Sequence, residues 1–410
     1  MIARKWQLLP LHKLPIQIVD GDRSAKYPKR DEFQNEGVVF LNSTNIVDNR
    51  LSLSECNRIS EDKYEAITKG RTRHLDIVMT TRGSIGKVAL VKRRIIDRGL
   101  INAQMLLLRA DAKVIDPTFL FYVTCSDSFQ GELHNFASGS AQPQIPITDL
   151  RQVSVPVPSL LTQRKIAAIL SVYDDLIENN LRRIKILEEM AQNLYREWFI
   201  KFRFPGHQHA RFIESPLGLI PERWDVTEFR NLFDIKYGKT LPKTKIADVG
   251  PYPVYGAGDV IGFYNECLCR EKCALVTSRG NGSGTVWRTR EVAFVTNNSL
   301  IIRPKADFKY WDYSFVELLL KHSNVMEAKT GSAQPQVTIV NLNYVKAMVP
   351  ERTCVEMFSA FATPICEKVD LHLLRNVTLR RTRDLLLPKL ISGEVDVSEL
   401  DIAIPEEAVA

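Results

Sequence analysis

Gly139-Ser140-Ala141-Gln142-Pro143-Gln144-Ile145 occurs a second time as Gly331-Ser332-Ala333-Gln334-Pro335-Gln336-Val337, 192 residues further on. Six consecutive identities mark an internal duplication, and a duplication decides architecture ahead of local propensity. Downstream the offset holds at 192, where Leu150 matches Leu342 and Pro158 matches Pro350. Upstream it drifts. Thr80-Thr81-Arg82-Gly83 is answered by Thr277-Ser278-Arg279-Gly280 at 197, and Leu106-Leu107-Leu108-Arg109 by Leu300-Ile301-Ile302-Arg303 at 194. The heptad is therefore a boundary, with a scaffold of diverged loops before it and a segment of fixed length after it.

A chain of 410 residues has room for two or three domains. With 45% hydrophobic and 25% charged residues it reads as globular. No apolar run of about 18 residues suggests a membrane span. Met1-Ile2-Ala3-Arg4-Lys5-Trp6-Gln7 lacks the apolar core of a secretion signal. The seven cysteines (Cys56, Cys125, Cys267, Cys269, Cys273, Cys354, Cys366) are an odd set that does not repeat between the copies. That argues for reduced thiols and a cytoplasmic protein. Net charge is +7, divided as +5 over 1–155, +2 over 156–205, +4 over 206–350 and −4 over 351–410. Two basic segments are compatible with a polyanionic partner.

In the first copy Gly37–Leu41, Ile77–Thr80, Lys87–Val91 and Met105–Leu108 read as strands, and Asp116-Pro117 as a helix start. Past the heptad a period of three to four residues takes over. Its first seam runs through Ile166, Ile169, Tyr173, Leu176, Asn180, Ile184, Leu187, Ala191, Leu194 and Trp198. The second runs through Phe358, Phe361, Ile365, Val369, His372, Asn376, Leu379, Arg383, Leu386 and Leu390. Ser171 and Thr363-Pro364 look like helix starts at the same register. Each copy is thus expected to hold a short helix and then a long one of about 25–29 residues, roughly 40 Å in length. Two long helices at repeat-equivalent positions bury their seams against each other as an antiparallel pair; Asn180 and His372, at equivalent seam positions, either set its register or point to solvent or a loop. The fold class expected is α+β: two pseudo-symmetric α/β domains separated by two long helices packed as an antiparallel coiled coil.

No catalytic signature is present. Gly83-Ser84-Ile85-Gly86-Lys87 and Gly280-Asn281-Gly282-Ser283-Gly284 lack the spacing that wraps phosphate. Cys267, Cys269 and Cys273 lack metal-site spacing and a fourth ligand, and the histidines form no paired pattern. The Arg-Gly turns stand out because both copies keep them. An arginine beside backbone amides holds phosphate or reaches guanine N7 and O6. On that chemistry the candidate DNA-binding residues are Arg82, Ser84, Lys87, Arg71, Arg73, Lys92 and Arg93 in the first copy. Arg279, Asn281, Ser283, Lys239 and Lys243 are their counterparts in the second. Candidate coiled-coil and partner-subunit positions are Ile169, Tyr173, Leu176, Asn180, Leu187, Leu194, Phe361, Ile365, Val369, His372, Leu379 and Leu386.

Several stretches together resemble the specificity subunits of type I restriction-modification enzymes. They are the repeated heptad, Pro156-Val157-Pro158, Gln163-Arg164-Lys165-Ile166-Ala167-Ala168-Ile169-Leu170-Ser171, Leu194-Tyr195-Arg196-Glu197-Trp198-Phe199 and Leu387-Pro388-Lys389-Leu390-Ile391-Ser392-Gly393-Glu394-Val395. The resemblance implies target-recognition domains over 1–155 and 206–350, helical spacer regions over 156–205 and 351–400, and an acidic tail over 401–410. It further implies that each domain reads one half of a bipartite asymmetric site in double-stranded DNA. The helices then set the spacing and dock two methylation subunits, with restriction subunits as further partners. S-adenosylmethionine, ATP and Mg2+ belong to those partners, and this chain is expected to bind no cofactor or metal and to be non-catalytic. Arg383 in place of Ala191, and Leu387-Pro388 in place of Trp-Phe, depart from strict equivalence of the two sides. A stand-alone methyltransferase would need an Asn/Asp-Pro-Pro-Tyr/Phe motif, and the chain has no Pro-Pro. A coiled-coil scaffold with protein-binding end domains is the remaining alternative. For the heptad itself, a structural boundary and direct DNA contact both stay open.

Overall fold

The computed structural model describes residues 6–137, 143–280, 282–331 and 335–405. The chain divides into two compact units, one of Met1–Glu178 with Asn376–Ala410 and one of Asn179–Arg375.

In the first unit, β1 (Ile16–Asp20), β2 (Val38–Leu41), β3 (Asn57–Ile59), β4 (Ile77–Thr80), β5 (Val88–Leu90), β6 (Gly99–Ile101) and β7 (Met105–Ala110) form two sheets. The antiparallel sheet has the order β1-β7-β4-β5. The smaller one has the order β3-β2-β6, with β2 and β6 parallel. β7 reads Met105-Leu106-Leu107-Leu108 without alternation because both of its faces are covered. Leu106 and Leu108 pack with Phe119, Leu120 and Ile166. Met105 and Leu107 pack with Val39 and Leu41 of the smaller sheet. Helix α1 (Pro117–Cys125) starts where the sequence signals it: the Asp116 carboxylate accepts the Phe119 amide at 2.8 Å and proline opens the first turn.

Helix α2 (Leu160–Tyr195) follows and widens into a π turn at Arg196–Ile200. The second unit then repeats the plan with β8 (Phe233–Tyr237), β9 (Tyr252–Tyr255), β10 (Val260–Tyr264), β11 (Ala274–Thr277), β12 (Val286–Arg288), β13 (Phe294–Val295) and β14 (Ser299–Pro304). Its sheets are ordered β8-β14-β11-β12 and β10-β9-β13, again with one parallel pair. Helix α3 (Tyr313–His322) is capped by Asp312 as α1 is by Asp116, and α4 (Arg352–Ser392) is the second long helix.

The expected break in each long helix is absent. Ser171 donates its hydroxyl to the Ala168 carbonyl at 3.1 Å inside continuous α2. Thr363 bonds Asp312 and Ser314 rather than capping anything, and Pro364 lies within α4. The side chains that read as caps are used in packing, so the backbone ladder runs on. The buried stripe also departs from the expected seam in places. Leu170 and Ile177 are fully buried, whereas Leu176 is 46% exposed; Phe361 is 60% exposed and touches the Trp198 ring only edge-on. A helix of 3.6 residues per turn drifts against a heptad repeat, which moves the stripe by one position.

The two helices run antiparallel. Asp174 of α2 meets Arg383 of α4, Asn180 meets His372, and Trp198 beyond α2 meets Phe358. Each unit takes its core from both helices. Ile166, Ala167 and Leu170 pack with Leu390 and Ile391 in the first; Ala191, Tyr195 and Phe199 pack with Val355, Phe358 and Ala362 in the second.

Candidate nucleic-acid interface

In both units the Arg-Gly turn is the tip of a hairpin, between β4 and β5 in the first and between β11 and β12 in the second. Gly83 and Gly280 sit at φ of 72° and 89°, a left-handed conformation that glycine adopts without strain. Several amides of the turns are already engaged. Gly83 donates to the Pro143 carbonyl at 2.9 Å, Ile85 to Gly83 and Gly86 to Thr80. What the first tip presents is side chains: half-buried Arg82 with exposed Ser84 and Lys87. The second presents exposed Arg279. Among the described residues, neither arginine has a hydrogen-bond or ion-pair partner for its guanidinium.

The described end of the repeated heptad lies against these tips. Arg82 bridges Gln144 and Arg279 bridges Gln336, both antiparallel. The Ile145 amide donates to the Thr81 carbonyl at 3.0 Å and the Val337 amide to the Ser278 carbonyl at 2.8 Å. Ile145 and Val337 are buried, so the strand alternates and turns Gln144 and Gln336 outward. The first four residues of the first copy, and the second to fourth of the second, lie outside the described residues, as does Asn281.

The other basic candidates separate from the tips. Four residues of strand, roughly 13 Å, lie between the hairpin tip and its open end. At that open end Lys92 reaches Asp175 of α2 at 3.2 Å, and neighbouring Arg94 reaches Asp175 and Glu178 at 2.9 and 2.7 Å. The second unit does the same at the repeat-equivalent helix position, where Lys272 and Arg288 each reach Asp370 at 2.8 Å. These cations fasten each domain to a long helix. Arg71 is likewise engaged: its guanidinium bonds the Ile67, Tyr64 and Glu65 carbonyls and lies 4.4 Å over the Tyr64 ring. Arg73 is exposed, and Arg93 is exposed with only a loose 3.9 Å approach to Asp97. Ser283 is 2% exposed, so it lies beneath the second tip instead of on it. One more residue joins this turn, lengthening it relative to the first and folding Ser283 inward; Gly86 and Gly284 keep equivalent bonds to Thr80 and Thr277.

Exposed Lys239 follows Gly238, whose image is Gly21. A Cβ on Gly21 would stand 2.1 Å from the Asn102 carbonyl oxygen and one on Gly238 2.2 Å from that of Thr296. Only glycine fits there, and it brings the following loop to the tip end of the sheet. In the first unit that loop supplies Arg23, oriented by Asp20 at 3.3 Å, which shares a hollow of about 320 Å³ with Arg82 and Gln144. Arg23 escaped the sequence reading because nothing local distinguishes it. Lys243 is exposed further along the second unit's loop.

On the helices, the buried Asn180 amide oxygen and His372 Nδ1 are 3.0 Å apart. Here a residue meets its own repeat image, 192 positions on. Burial, reinforced by Arg183 and Arg375, pushes the His372 pKa down and favours the neutral ring. Of the remaining seam residues, Val369 is buried, while Ile169, Tyr173, Leu187, Leu194, Ile365, Leu379 and Leu386 are half-buried.

A family model for the type I restriction modification DNA specificity domain matches residues 17–189 and 221–361. The chain belongs to this family. Each matched segment contains one Arg-Gly tip, one copy of the heptad and the start of one long helix. The chain is 25% identical over 346 residues to the type I restriction enzyme MjaIX specificity subunit of Methanocaldococcus jannaschii, covering 79% of this chain and 78% of that one. To the HindI specificity subunit of Haemophilus influenzae it is 27% identical over 466 residues, covering 92% and 98%. The crystal structure of a type I restriction-modification S subunit from M. genitalium shares the fold, with a TM-score of 0.63 over 95% of this chain and 97% of that chain at 19% identity. No helix among the described residues of this type I specificity subunit is long and apolar enough to cross a membrane.

Proposed function

We infer that this specificity subunit reads a bipartite, asymmetric site in double-stranded DNA, one half per unit, through the tip ends of the two four-stranded sheets. One observation carries the reading. Two copies of a domain present the same arginine-bearing tip, and among the described residues both guanidinium groups lack a partner, while Lys92, Arg94, Lys272 and Arg288 at the opposite ends are tied to helix carboxylates. Arg82, Ser84 and Lys87 serve the first half-site, and Arg279, Lys239 and Lys243 the second; exposed Arg73 and Arg93 lie together at the open end of the first hairpin, where the Arg93 amide donates to the His74 ring at 3.2 Å, and are not part of the tip. Phosphate contacts supply salt-dependent affinity and diverged loops supply base readout.

The long helices set the spacing and dock two methylation subunits, with restriction subunits joining the same assembly. Exposed Val172, Leu176, Ile186, Met190 and Val377 are apolar positions on these helices that such partners cover. The chain itself is non-catalytic, and S-adenosylmethionine, ATP and Mg2+ are bound by its partners.

The test is methylome sequencing of cells that express this chain with its methylation subunit. A single motif with two defined blocks and an undefined gap is expected. Exchange of residues 206–350 for those of a relative should change one block and leave the other intact. Methylation without a sequence motif, or a change in both blocks, overturns the reading.

A further inference from the structure

We propose that the Arg82–Gln144 and Arg279–Gln336 pairs are backbone clamps: they grip the sugar-phosphate chain common to both half-sites and read no base. This rests on the DNA-reading function inferred above and assigns a role within it. The two members of a pair lie 62 residues apart in the first copy and 57 in the second. Loops between them have changed length, yet both pairs close the same antiparallel bridge at the same hairpin tip. Residues directly opposite in such a bridge carry their side chains on one face, about 4.5–5.5 Å apart at Cβ. Each tip therefore offers a planar guanidinium fork beside a neutral amide donor. That set matches a phosphate oxygen pair and a neighbouring phosphate or sugar oxygen.

Identity between the copies decides which part of DNA the pairs meet. Readers of different half-sites must differ, and the surrounding loops do differ. A pair kept unchanged through that divergence fits what the half-sites have in common, and every half-site has the backbone. The anchoring supports a positioning role as well. Buried Ile145 and Val337 hold each glutamine in register from below, and each unit adds one further cation at the same end of the sheet, Arg23 in the first and Lys239 in the second. A side chain that fixes docking register benefits from such a rigid base.

The experiment uses the full chain in complex with its methylation subunit, wild type and with R82A/Q144A or R279A/Q336A. Duplexes carrying the methylome-defined site and a scrambled site are titrated across a salt series. Each double variant is expected to weaken binding to both duplexes by the same factor, roughly tenfold, the size of one charge-assisted hydrogen bond. The slope of log affinity against log salt should fall by about 1, and the methylated motif should stay unchanged. R82K, which keeps the charge, should retain most of the slope. Thermal melts should stay close to wild type, since Gln144, Arg279 and Gln336 are exposed and the half-buried Arg82 guanidinium has no partner among the described residues. Loss of a defined base from the motif would make the pair a base reader and overturn the proposal, as would unchanged affinity and slope. The wild-type arm reports separately: duplex binding without a preferred site overturns the specificity reading alone, and no duplex binding overturns both.

Discussion

Asp174 shows how one carboxylate holds a unit together. It lies among Arg383 at 2.5 Å, Tyr122 at 2.6 Å and Arg50 at 2.9 Å, joining both long helices to the first domain. Its repeat image is Cys366 and that of Arg383 is Ala191, both buried and uncharged, so the second unit solves the same position with apolar packing. That accounts for the Arg383 departure visible in the sequence. Burial pushes the Asp174 carboxyl up, but Arg383, Tyr122 and Arg50 outweigh it and hold the pKa below the ordinary carboxylate value. A group depressed on folding adds stability above its unfolded pKa and loses it as pH falls through the folded one. D174N should therefore cost about 3 kcal/mol at neutral pH by stranding two cations, and its deficit should shrink below about pH 4. Denaturant titrations at pH 7 and pH 3.5 measure both. At the tip corners, G21A and G238A should each destabilise by about 1–3 kcal/mol through the clash with a fixed carbonyl. Melting-temperature losses restricted to one of the two variants would show that the corners are not equivalent.

At the level of elements, the long helices separate what the sequence announces from what it conceals. The strands at 77–80 and 105–108, the Asp116 cap and the equivalent seam placement of Asn180 and His372 were legible, because each rests on short-range pattern or on the constant repeat offset. Helix continuity was not. Ser171 and Thr363 carry the right chemistry for caps, and only tertiary context shows their hydroxyls bonded elsewhere. The engagement of Lys92 and Arg71 was hidden for the same reason: an ion pair spanning 83 residues has no local signature, and a basic cluster looks alike whether it faces solvent or a helix. The pairing of the heptad's described end with the Arg-Gly tip was hidden too, because the bridge joins residues 62 and 57 positions apart. Pro364 provides the test of continuity. Inside a helix it removes a hydrogen bond and crowds the preceding turn. P364A should raise stability by about 1–2 kcal/mol in thermal denaturation. Were Thr363-Pro364 a true helix start, the same change would be neutral or destabilising.

For the whole molecule, duplication turns one α/β domain into two, and each repeat ends in a long helix; under the proposed function those helices are the spacer. The antiparallel pairing makes those helices interdependent. Shortening α2 alone would slide Asn180 away from His372 and Asp174 away from Arg383, exchanging matched contacts for buried unmatched ones. A fair test of spacing therefore deletes seven residues from both helices at repeat-equivalent places, 181–187 and 373–379, leaving both polar pairs in the chain. Seven helical residues correspond to about 10.5 Å of axis. At about 3.4 Å per base pair the methylated motif should close its undefined gap by roughly three base pairs, with both defined blocks unchanged. The logic is that of dimeric readers, where protein geometry sets half-site separation. Methylome sequencing reads the gap directly, and an active double deletion that keeps the wild-type gap would rule out the helices as the ruler. Deletion in α2 alone should instead lower stability and activity together, because the mismatch falls on the helix seam before it reaches the DNA.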